Sequence, residues 1–362
     1  MGKFVNFCAS ASAPANCPGR NLDGLLLNVL YTGVSDSAYR TARKTIEYVN
    51  PNYFILDSSG FQYFIGEQEG KEITFNPNEP LQFDKKVNNS PYHVVKVAKQ
   101  ISDLTSRMTR RDILIALDYP LQEITNVQAQ EIEFRKKFDI NVEFAIETAR
   151  LKKESGLDCR LFLPVQCFTL SQFDDFMERL RDVFFDGVCT PLRNYTMRET
   201  ADFIIRFHQK GFRQVHLLAV GNFPFMAFSA YLARHHFNWF SVDSSTWRHN
   251  SFANKYLNPA TLRWIPTDQL LSFKSDIKCK CPYCQYYQLS DIKNLPKTDR
   301  QYFLALHNYW NTENACKVFY DNSSTLITLA RYLRMTSMKD KKIEEIIDCL
   351  SWIDLHLNKQ KY

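Results

Sequence analysis

Short apolar runs recur along the chain, and each ends in polar or small residues. Apolar runs of this length without alternation predict buried parallel strands, because strands in a parallel sheet are covered on both faces. The runs occupy residues 25–30, 53–56, 113–117, 161–165, 187–189, 215–220 and 239–242. Amphipathic stretches, which predict helices packed on the sheet, occupy residues 37–49, 128–153, 170–183, 197–209 and 224–236.

Repeated strand–helix alternation predicts an α/β fold with a parallel sheet, either closed as a (β/α)₈ TIM barrel or open and doubly wound. No Gly-x-Gly-x-x-Gly motif follows the first strands, which disfavours a dinucleotide-binding open sheet. The pattern changes beyond residue 255, where a cysteine cluster precedes helical stretches at residues 323–336 and 340–357. We therefore expect residues 1–255 to form the barrel and residues 256–362 to form a separate subdomain with C-terminal helices packed on it.

The cysteine cluster predicts a metal site. Cys279, Cys281 and Cys284 have the spacing Cys-x-Cys-x-x-Cys, and His307 follows 23 residues after the last of them. Three thiolates and an imidazole complete a tetrahedron around Zn²⁺ and leave no open position for water, so this zinc would be structural. Cys316 is an alternative fourth ligand, and a cluster of free thiols in a reducing compartment is the alternative to a metal site.

Composition limits the class of protein and its compartment. The net charge of +6 is compatible with a polyanionic partner without requiring one. Ten cysteines without a signal peptide indicate a reducing compartment, and no apolar run approaches the ~20 residues of a membrane span. The expected location is the cytoplasm of a bacterium or a phage-infected cell.

Basic residues cluster locally, and the clusters make nucleic acid a candidate partner. They comprise Arg107, Arg110 and Arg111; Lys274, Lys278 and Lys280; and Arg331, Arg334, Lys339, Lys341 and Lys342.

Polar side chains follow four of the predicted strands, where the loops of a barrel carry chemistry. They are Asp57, Asp118, Gln166 and Asp243. An aspartate at one strand end commonly caps the next helix. Four polar residues at four strand ends indicate a site instead.

Five sequence elements follow one another in a definite order and spacing. They are Asp57-Ser58-Ser59-Gly60-Phe61-Gln62, Ala116-Leu117-Asp118, Pro164-Val165-Gln166, Val242-Asp243-Ser244 and the cysteine–histidine set. Together they resemble the tRNA-guanine transglycosylase family, which exchanges guanine in a polynucleotide for a 7-deazaguanine base. The resemblance runs from about residue 53 to residue 307, and Ser59 stands where the family signature has a glycine.

The resemblance implies a (β/α)₈ barrel with an inserted or appended zinc-binding subdomain, and it assigns roles to residues. Asp243 would be the nucleophile that forms a covalent sugar–enzyme intermediate, and Asp57 the general acid/base. Asp118 would accept hydrogen bonds from guanine, and Gln166 would donate to its carbonyl oxygen. Further contacts with the base are expected from Phe61 and Leu218, which would stack on its faces, and from Ser58 and Gly221.

The polymer and the incoming base follow from finer features of the same resemblance. Residues 187–192 and 216–221 are closer to the archaeosine branch of the family, whose incoming base is preQ0. The sequence ends at Tyr362, without room for the RNA-binding domains usual in that branch, so DNA is the expected substrate. The alternatives are a tRNA enzyme, a non-catalytic zinc-containing partner subunit and an unrelated barrel hydrolase with two carboxylates. A homodimer or a partner protein is compatible with each.

Overall fold

The computed structural model describes residues 1–9, 17–29, 35–60, 81–83, 87–192, 195–276, 279–287 and 289–358. Eight strands form a closed barrel. They are β1 (Lys3–Cys8), β2 (Gly24–Asn28), β3 (Tyr53–Asp57), β6 (Ile113–Ile115), β7 (Arg160–Pro164), β8 (Gly187–Pro191), β9 (Gln214–Leu218) and β10 (Trp239–Ser244). Their order around the barrel is β1-β10-β9-β8-β7-β6-β3-β2. Alternating helices accompany these parallel strands, which confirms the predicted (β/α)₈ TIM barrel.

Helices and two antiparallel hairpins complete the secondary structure of the described ranges. The hairpins pair β4 (Leu81–Phe83) with β5 (Val87–Asn89), and β11 (Lys255–Asn258) with β12 (Arg263–Pro266). Two segments are 3₁₀-helical, Thr267–Asp276 and Cys284–Tyr286. The α-helices are Asp36–Val49, Pro91–Leu104, Val127–Glu154, Leu170–Arg179, Met197–Gln209, Phe223–His235, Thr246–Phe252, Leu289–Ile292, Lys297–Asn322, Leu326–Arg334 and Asp340–Asn358.

Each of the seven predicted apolar runs overlaps one barrel strand, but β1 was not predicted. This strand is six residues long, and Asn6 interrupts its apolar sequence. Its pairing with β10, in which Phe7 lies opposite Asp243, depends on residues more than 200 positions away. The residues around β1 in the sequence therefore do not by themselves indicate a strand.

The chain separates into two compact units, Ala11–Leu218 and a second unit formed by Met1–Ser10 with Ala219–Tyr362. In the first unit, β3 is buried throughout its middle, since Phe54, Ile55 and Leu56 are fully inaccessible. In the second unit, helix Asp340–Asn358 packs on helix Phe223–His235, and the Tyr231 hydroxyl donates to Asp354 Oδ2 at 2.7 Å. The boundary predicted after residue 255 separates the barrel from the metal-binding subdomain. It is a different division of the chain from these two units, and it stays a prediction.

None of the helices in the described ranges combines the length and apolarity needed to cross a membrane.

Candidate active site and metal centre

Asp57, at the end of β3, is oriented by a neighbour on β2. Asn28 and Asp57 are opposite in the parallel pairing of the two strands. Asn28 Nδ2 donates to Asp57 Oδ2 at 2.9 Å, and the Ser59 hydroxyl donates to Asn28 Oδ1. The carboxylate predicted to act as acid and base is therefore held at its strand end by an amide, which is itself held by a hydroxyl.

The turn after Asp57 has a backbone that suits glycine. Ser59 has φ +70°, in the left-handed region that costs non-glycine residues energy. This is the position at which the resembled family has a glycine, and the serine retains that backbone conformation while bonding to Asn28. A Cβ on Gly60 would lie 2.1 Å from Asp118 Oδ1 and 2.5 Å from the Asp118 carbonyl oxygen. Only glycine permits this close approach, which joins the turn to Asp118.

Asp118 and Gln166 follow the neighbouring strands β6 and β7, and their side chains are in direct contact. Gln166 Nε2 donates to Asp118 Oδ2 at 2.6 Å, and the Ser58 hydroxyl donates to Oδ1 at 3.1 Å. Gln166 Oε1 accepts from the Leu121 backbone N–H at 3.3 Å. Asp118 is 7% exposed and Gln166 is 5% exposed. The sequence prediction that these residues belong to one group agrees with this geometry, although their role towards a base stays a prediction.

The segment after Asp118 is fixed by polar residues that the sequence analysis missed. Asn141 bonds both the N–H and the carbonyl of Tyr119, at 2.7 and 3.0 Å. Lys137 Nζ, with a fully buried side chain, donates to the Pro120 carbonyl at 2.8 Å and pairs with Glu133 at 2.6 Å. Glu133, Lys137 and Asn141 recur every four residues on helix Val127–Glu154, so one polar stripe of the helix meets this segment. That spacing was the available signal, and it resembles an ordinary solvated face.

Asp243 lies on β10 in the second unit and is 8% exposed. Its Oδ1 accepts from the Ala219 backbone N–H at 2.8 Å. Ala219 has φ +58°, and this left-handed turn directs the N–H towards the carboxylate. A Cβ on Gly221 would lie 2.0 Å from Thr246 Oγ1, so Gly221 is required for packing beside the end of β10.

Of the four other residues predicted to contact the base, the structure describes three. Leu218 ends β9 and is partly buried, and its role beneath a base stays a prediction. Phe61 lies outside the described residues. The contacts of Ser58 with Asp118 and of Gly221 with Thr246 are structural, and a further contact of either residue with substrate stays a prediction.

Cys279, Cys281, Cys284 and His307 converge as predicted, with their ligand atoms within 4.8 Å of one another. The sulfurs lie 3.7, 3.3 and 3.2 Å from His307 Nδ1, in sequence order. Ligand bonds of ~2.3 Å to sulfur and ~2.0 Å to nitrogen in a tetrahedron place these atoms about 3.5 Å apart. The cluster can therefore hold a metal ion, and its fourth member is His307 rather than the alternative Cys316.

The surroundings of the cluster orient the histidine, and contacts among the cysteines favour negative charge on Cys279 alone. His307 Nε2 is 2.8 Å from the Leu257 carbonyl, an acceptor that fixes the proton on Nε2 and leaves the Nδ1 lone pair directed at the sulfurs. The Tyr256 ring stacks on the imidazole at 3.8 Å. Hydrogen bonds from Cys281 and Cys284 hold the pKa of Cys279 well below its usual range, while the Cys279 contact raises the pKa of Cys281 to about 11 and also raises that of Cys284. A divalent cation would stabilise all three as thiolates.

Comparison with curated proteins finds similarity to archaeal enzymes named tRNA-guanine(15) transglycosylase. The Pyrococcus abyssi (strain GE5 / Orsay) protein is 29% identical over 126 residues, which are 34% of this chain and 20% of that protein. The Thermococcus onnurineus (strain NA1) protein is 28% identical over 127 residues, again 34% and 20% of the two chains. The Pyrococcus furiosus protein is 26% identical over 127 residues with the same coverage. The chain thus matches only about a fifth of the length of these relatives. No protein-family model matches the chain.

These relatives agree with the resemblance to guanine transglycosylases, and their names specify tRNA. The expected preference for DNA receives no support from them. The tRNA alternative fits the comparisons better.

Proposed function

We propose that this protein is a base-exchange transglycosylase that acts on guanine in a polynucleotide. The observation that carries the proposal is the buried Asp118–Gln166 pair, joined by the Ser58–Gly60 turn to the strand end that carries Asp57. A carboxylate and an amide side by side supply an acceptor and a donor, which is the pattern that guanine's N–H groups and carbonyl oxygen require. Adenine presents an acceptor and a donor where guanine presents a donor and an acceptor, and such mismatches at buried polar groups are costly.

The proposed reaction has two displacements at the sugar C1′. An Asp243 carboxylate oxygen attacks C1′, the bond from C1′ to guanine N9 breaks, and Asp57 gives its proton to the departing base. In the second step Asp57 takes a proton from the incoming base, whose nitrogen attacks C1′ and releases Asp243. The two displacements retain the configuration at C1′, as in retaining glycosidases.

Local contacts in each unit support the roles of the two carboxylates. The N–H of Ala219 holds one oxygen of Asp243, which limits the rotation of the nucleophile. Asn28 does the same for Asp57. Fixing reacting groups before substrate arrives lowers the entropic part of the barrier. A target base must leave its stack to reach buried groups of this kind.

The polymer that we favour is RNA, and specifically tRNA, because the similar archaeal proteins carry tRNA in their names. DNA, which the sequence analysis favoured, becomes the second arm of the test. The incoming base is proposed to be a 7-deazaguanine such as preQ0. Zinc is the metal proposed for Cys279, Cys281, Cys284 and His307, where it would crosslink the 3₁₀ segment to helix Lys297–Asn322.

The proposal is tested by exchange of radiolabelled guanine, which does not require the modified base to be known. Unfractionated tRNA and duplex DNA are offered in parallel, with the Asp243→Asn variant as control. Label entering tRNA with the native protein alone is the expected result. Label entering DNA alone would keep the chemistry and reverse the choice of polymer. Label entering neither polymer would contradict the proposal.

A further inference from the structure

Four exposed cations lie on the C-terminal helices and in the segment between them, with one acid, Asp340, among residues 331–341. Arg331 and Arg334 lie on helix Leu326–Arg334, Lys339 lies in the connection that follows it, and Lys341 is the second residue of helix Asp340–Asn358. Among the described residues, none of the four has an ion pair or a side-chain hydrogen bond. We call these four residues the 331–341 basic surface.

Several exposed cations elsewhere in the described chain are paired with an acid. Arg43 meets Glu47 at 2.7 Å, Arg150 meets Glu147 at 2.6 Å, and Arg181 meets Glu178 at 2.7 Å. By contrast, Arg331 and Arg334 stand three residues apart on one helix, where like charges repel. Such a concentration of one sign costs the free protein some stability and creates a local positive potential that attracts an anionic partner.

The basic surface is attached to the part of the same unit that holds Asp243. The Ser337 N–H donates to the Thr261 carbonyl at 2.8 Å, which ties the turn beside Lys339 to the tip of the β11–β12 hairpin. Trp264 of that hairpin stacks on Phe223, with ring centroids 6.3 Å apart and an angle of 19°. Phe223 begins the helix that follows the turn at Ala219, the residue whose N–H holds Asp243.

This continuity favours one anionic partner over others. A polymer that presents a nucleotide to Asp243 extends beyond the reacting sugar, and each further nucleotide adds one phosphate. Four cations without ion pairs, on two helices and the connection between them, suit repeated phosphates, because Arg and Lys bind phosphate oxygens by charge-assisted hydrogen bonds. An anionic membrane surface would also attract these cations. A membrane, however, presents no nucleotide to Asp243, so the connection between the basic surface and Asp243 would serve no purpose.

We propose that the 331–341 basic surface binds the phosphate backbone of the polynucleotide substrate. The proposal rests on the proposed function for the identity of the partner. In this proposal the surface supplies affinity for the polymer and positions it, but it does not select the base. Loss of the surface should therefore raise KM for the polymer and leave kcat unchanged.

The test measures binding of a fluorescent RNA hairpin by anisotropy across a salt series, with the intact chain. The variant carries Arg331→Gln, Arg334→Gln, Lys339→Gln and Lys341→Gln. The matched control carries Arg43→Gln, Lys99→Gln, Arg150→Gln and Arg181→Gln, which remove the same charge from paired positions. Because each lost phosphate contact changes the slope of log K against log salt by about 0.7–0.9, we expect the slope to fall by roughly 3 in the variant and by less than 1 in the control.

The outcomes separate this proposal from the proposed function, since binding is read without any exchange of bases. At 0.1 M salt we expect at least tenfold weaker binding by the variant than by the control. Equal weakening in both would mean a net-charge effect and would overturn the basic surface. Vesicles with phosphatidylserine form a second arm, and loss of vesicle binding with unchanged RNA binding would also overturn it. The variant could lose RNA binding although the native protein exchanges no guanine. That result would support the role of the basic surface and contradict the proposed chemistry.

Discussion

Replacing Lys137 with methionine should destabilise the protein strongly, although the residue touches no substrate in our account. Its side chain is fully inaccessible, pairs with Glu133 at 2.6 Å and donates to the Pro120 carbonyl at 2.8 Å. Methionine keeps the length and the apolar stem but leaves the Glu133 carboxylate buried without its cation. Removing one partner of a buried ion pair costs about 3–5 kcal/mol, and we expect the Lys137→Met loss to fall in this range.

Two further variants determine whether the lost pair is the cause. Lys99→Met breaks an exposed pair with Asp103, in which both side chains are about half exposed, and should cost less than about 1 kcal/mol. Glu133→Gln combined with Lys137→Met removes the stranded charge but keeps an acceptor for the Gln122 N–H, which now donates to Glu133 at 3.0 Å. The double variant should be more stable than Lys137→Met alone by about 1 kcal/mol or more.

The assay is equilibrium urea unfolding followed by far-ultraviolet circular dichroism. All five tryptophans lie between residues 239 and 352, outside the unit that contains Lys137, so tryptophan fluorescence would not report on that unit. If Lys137→Met costs no more than Lys99→Met, the buried ion pair does not make the expected contribution to stability. A double variant less stable than Lys137→Met would show that the unpaired Glu133 charge is not the cause of the loss.

Three other predictions concern the metal cluster and the predicted catalytic end of the barrel. Cys281→Ser should lower both the zinc content, measured by atomic absorption, and the unfolding midpoint. The control Cys316→Ser should leave the zinc content unchanged. A zinc content in the Cys281 variant equal to that of the native protein would contradict the assignment. Gly60→Ala should greatly reduce guanine exchange, because the new Cβ would lie 2.1 Å from Asp118 Oδ1, and an unaltered rate in a folded variant would show that this approach is unimportant. Asn28→Ala removes the bond to the Asp57 carboxylate, and since a hydrogen bond to a charged group contributes about 1.5–3 kcal/mol, kcat should fall by roughly 10- to 100-fold; a changed KM with constant kcat would assign Asn28 to binding instead.

The parts of the fold that depend on local pattern were predictable. The buried strands and the amphipathic helices have a periodicity visible within a short window, and the cluster of Cys279, Cys281 and Cys284 has a spacing that suits one metal ion. The convergence of His307 on this cluster followed from ligand chemistry, since three thiolates require a fourth donor.

The parts that depend on long-range pairing were not predictable. Asn28 is one residue of an apolar run, and it matters because parallel pairing places it opposite Asp57. Lys137 is one of many lysines on helices, and its burial is set by the segment that packs on it. The left-handed conformation of Ser59 was likewise hidden, because serine rarely adopts it.

The choice of polymer has no counterpart in the geometry of the residues proposed to bind the base. Asp118 and Gln166 are proposed to read guanine, and guanine is the same base in RNA and in DNA. Discrimination between the polymers requires contacts with the sugar 2′-hydroxyl or with helix shape. The exchange assay with both polymers therefore decides a question that the Asp118–Gln166 contact leaves open.

The proposed nucleophilic role of Asp243 is tested by capturing the covalent intermediate between Asp243 and the polynucleotide. End-labelled RNA is incubated with the protein without any added base and is then analysed on a denaturing gel. A covalent mechanism through Asp243 predicts a labelled protein band that is absent with Asp243→Asn and disappears when guanine is added. No band with the native protein, or an equal band with Asp243→Asn, would contradict it.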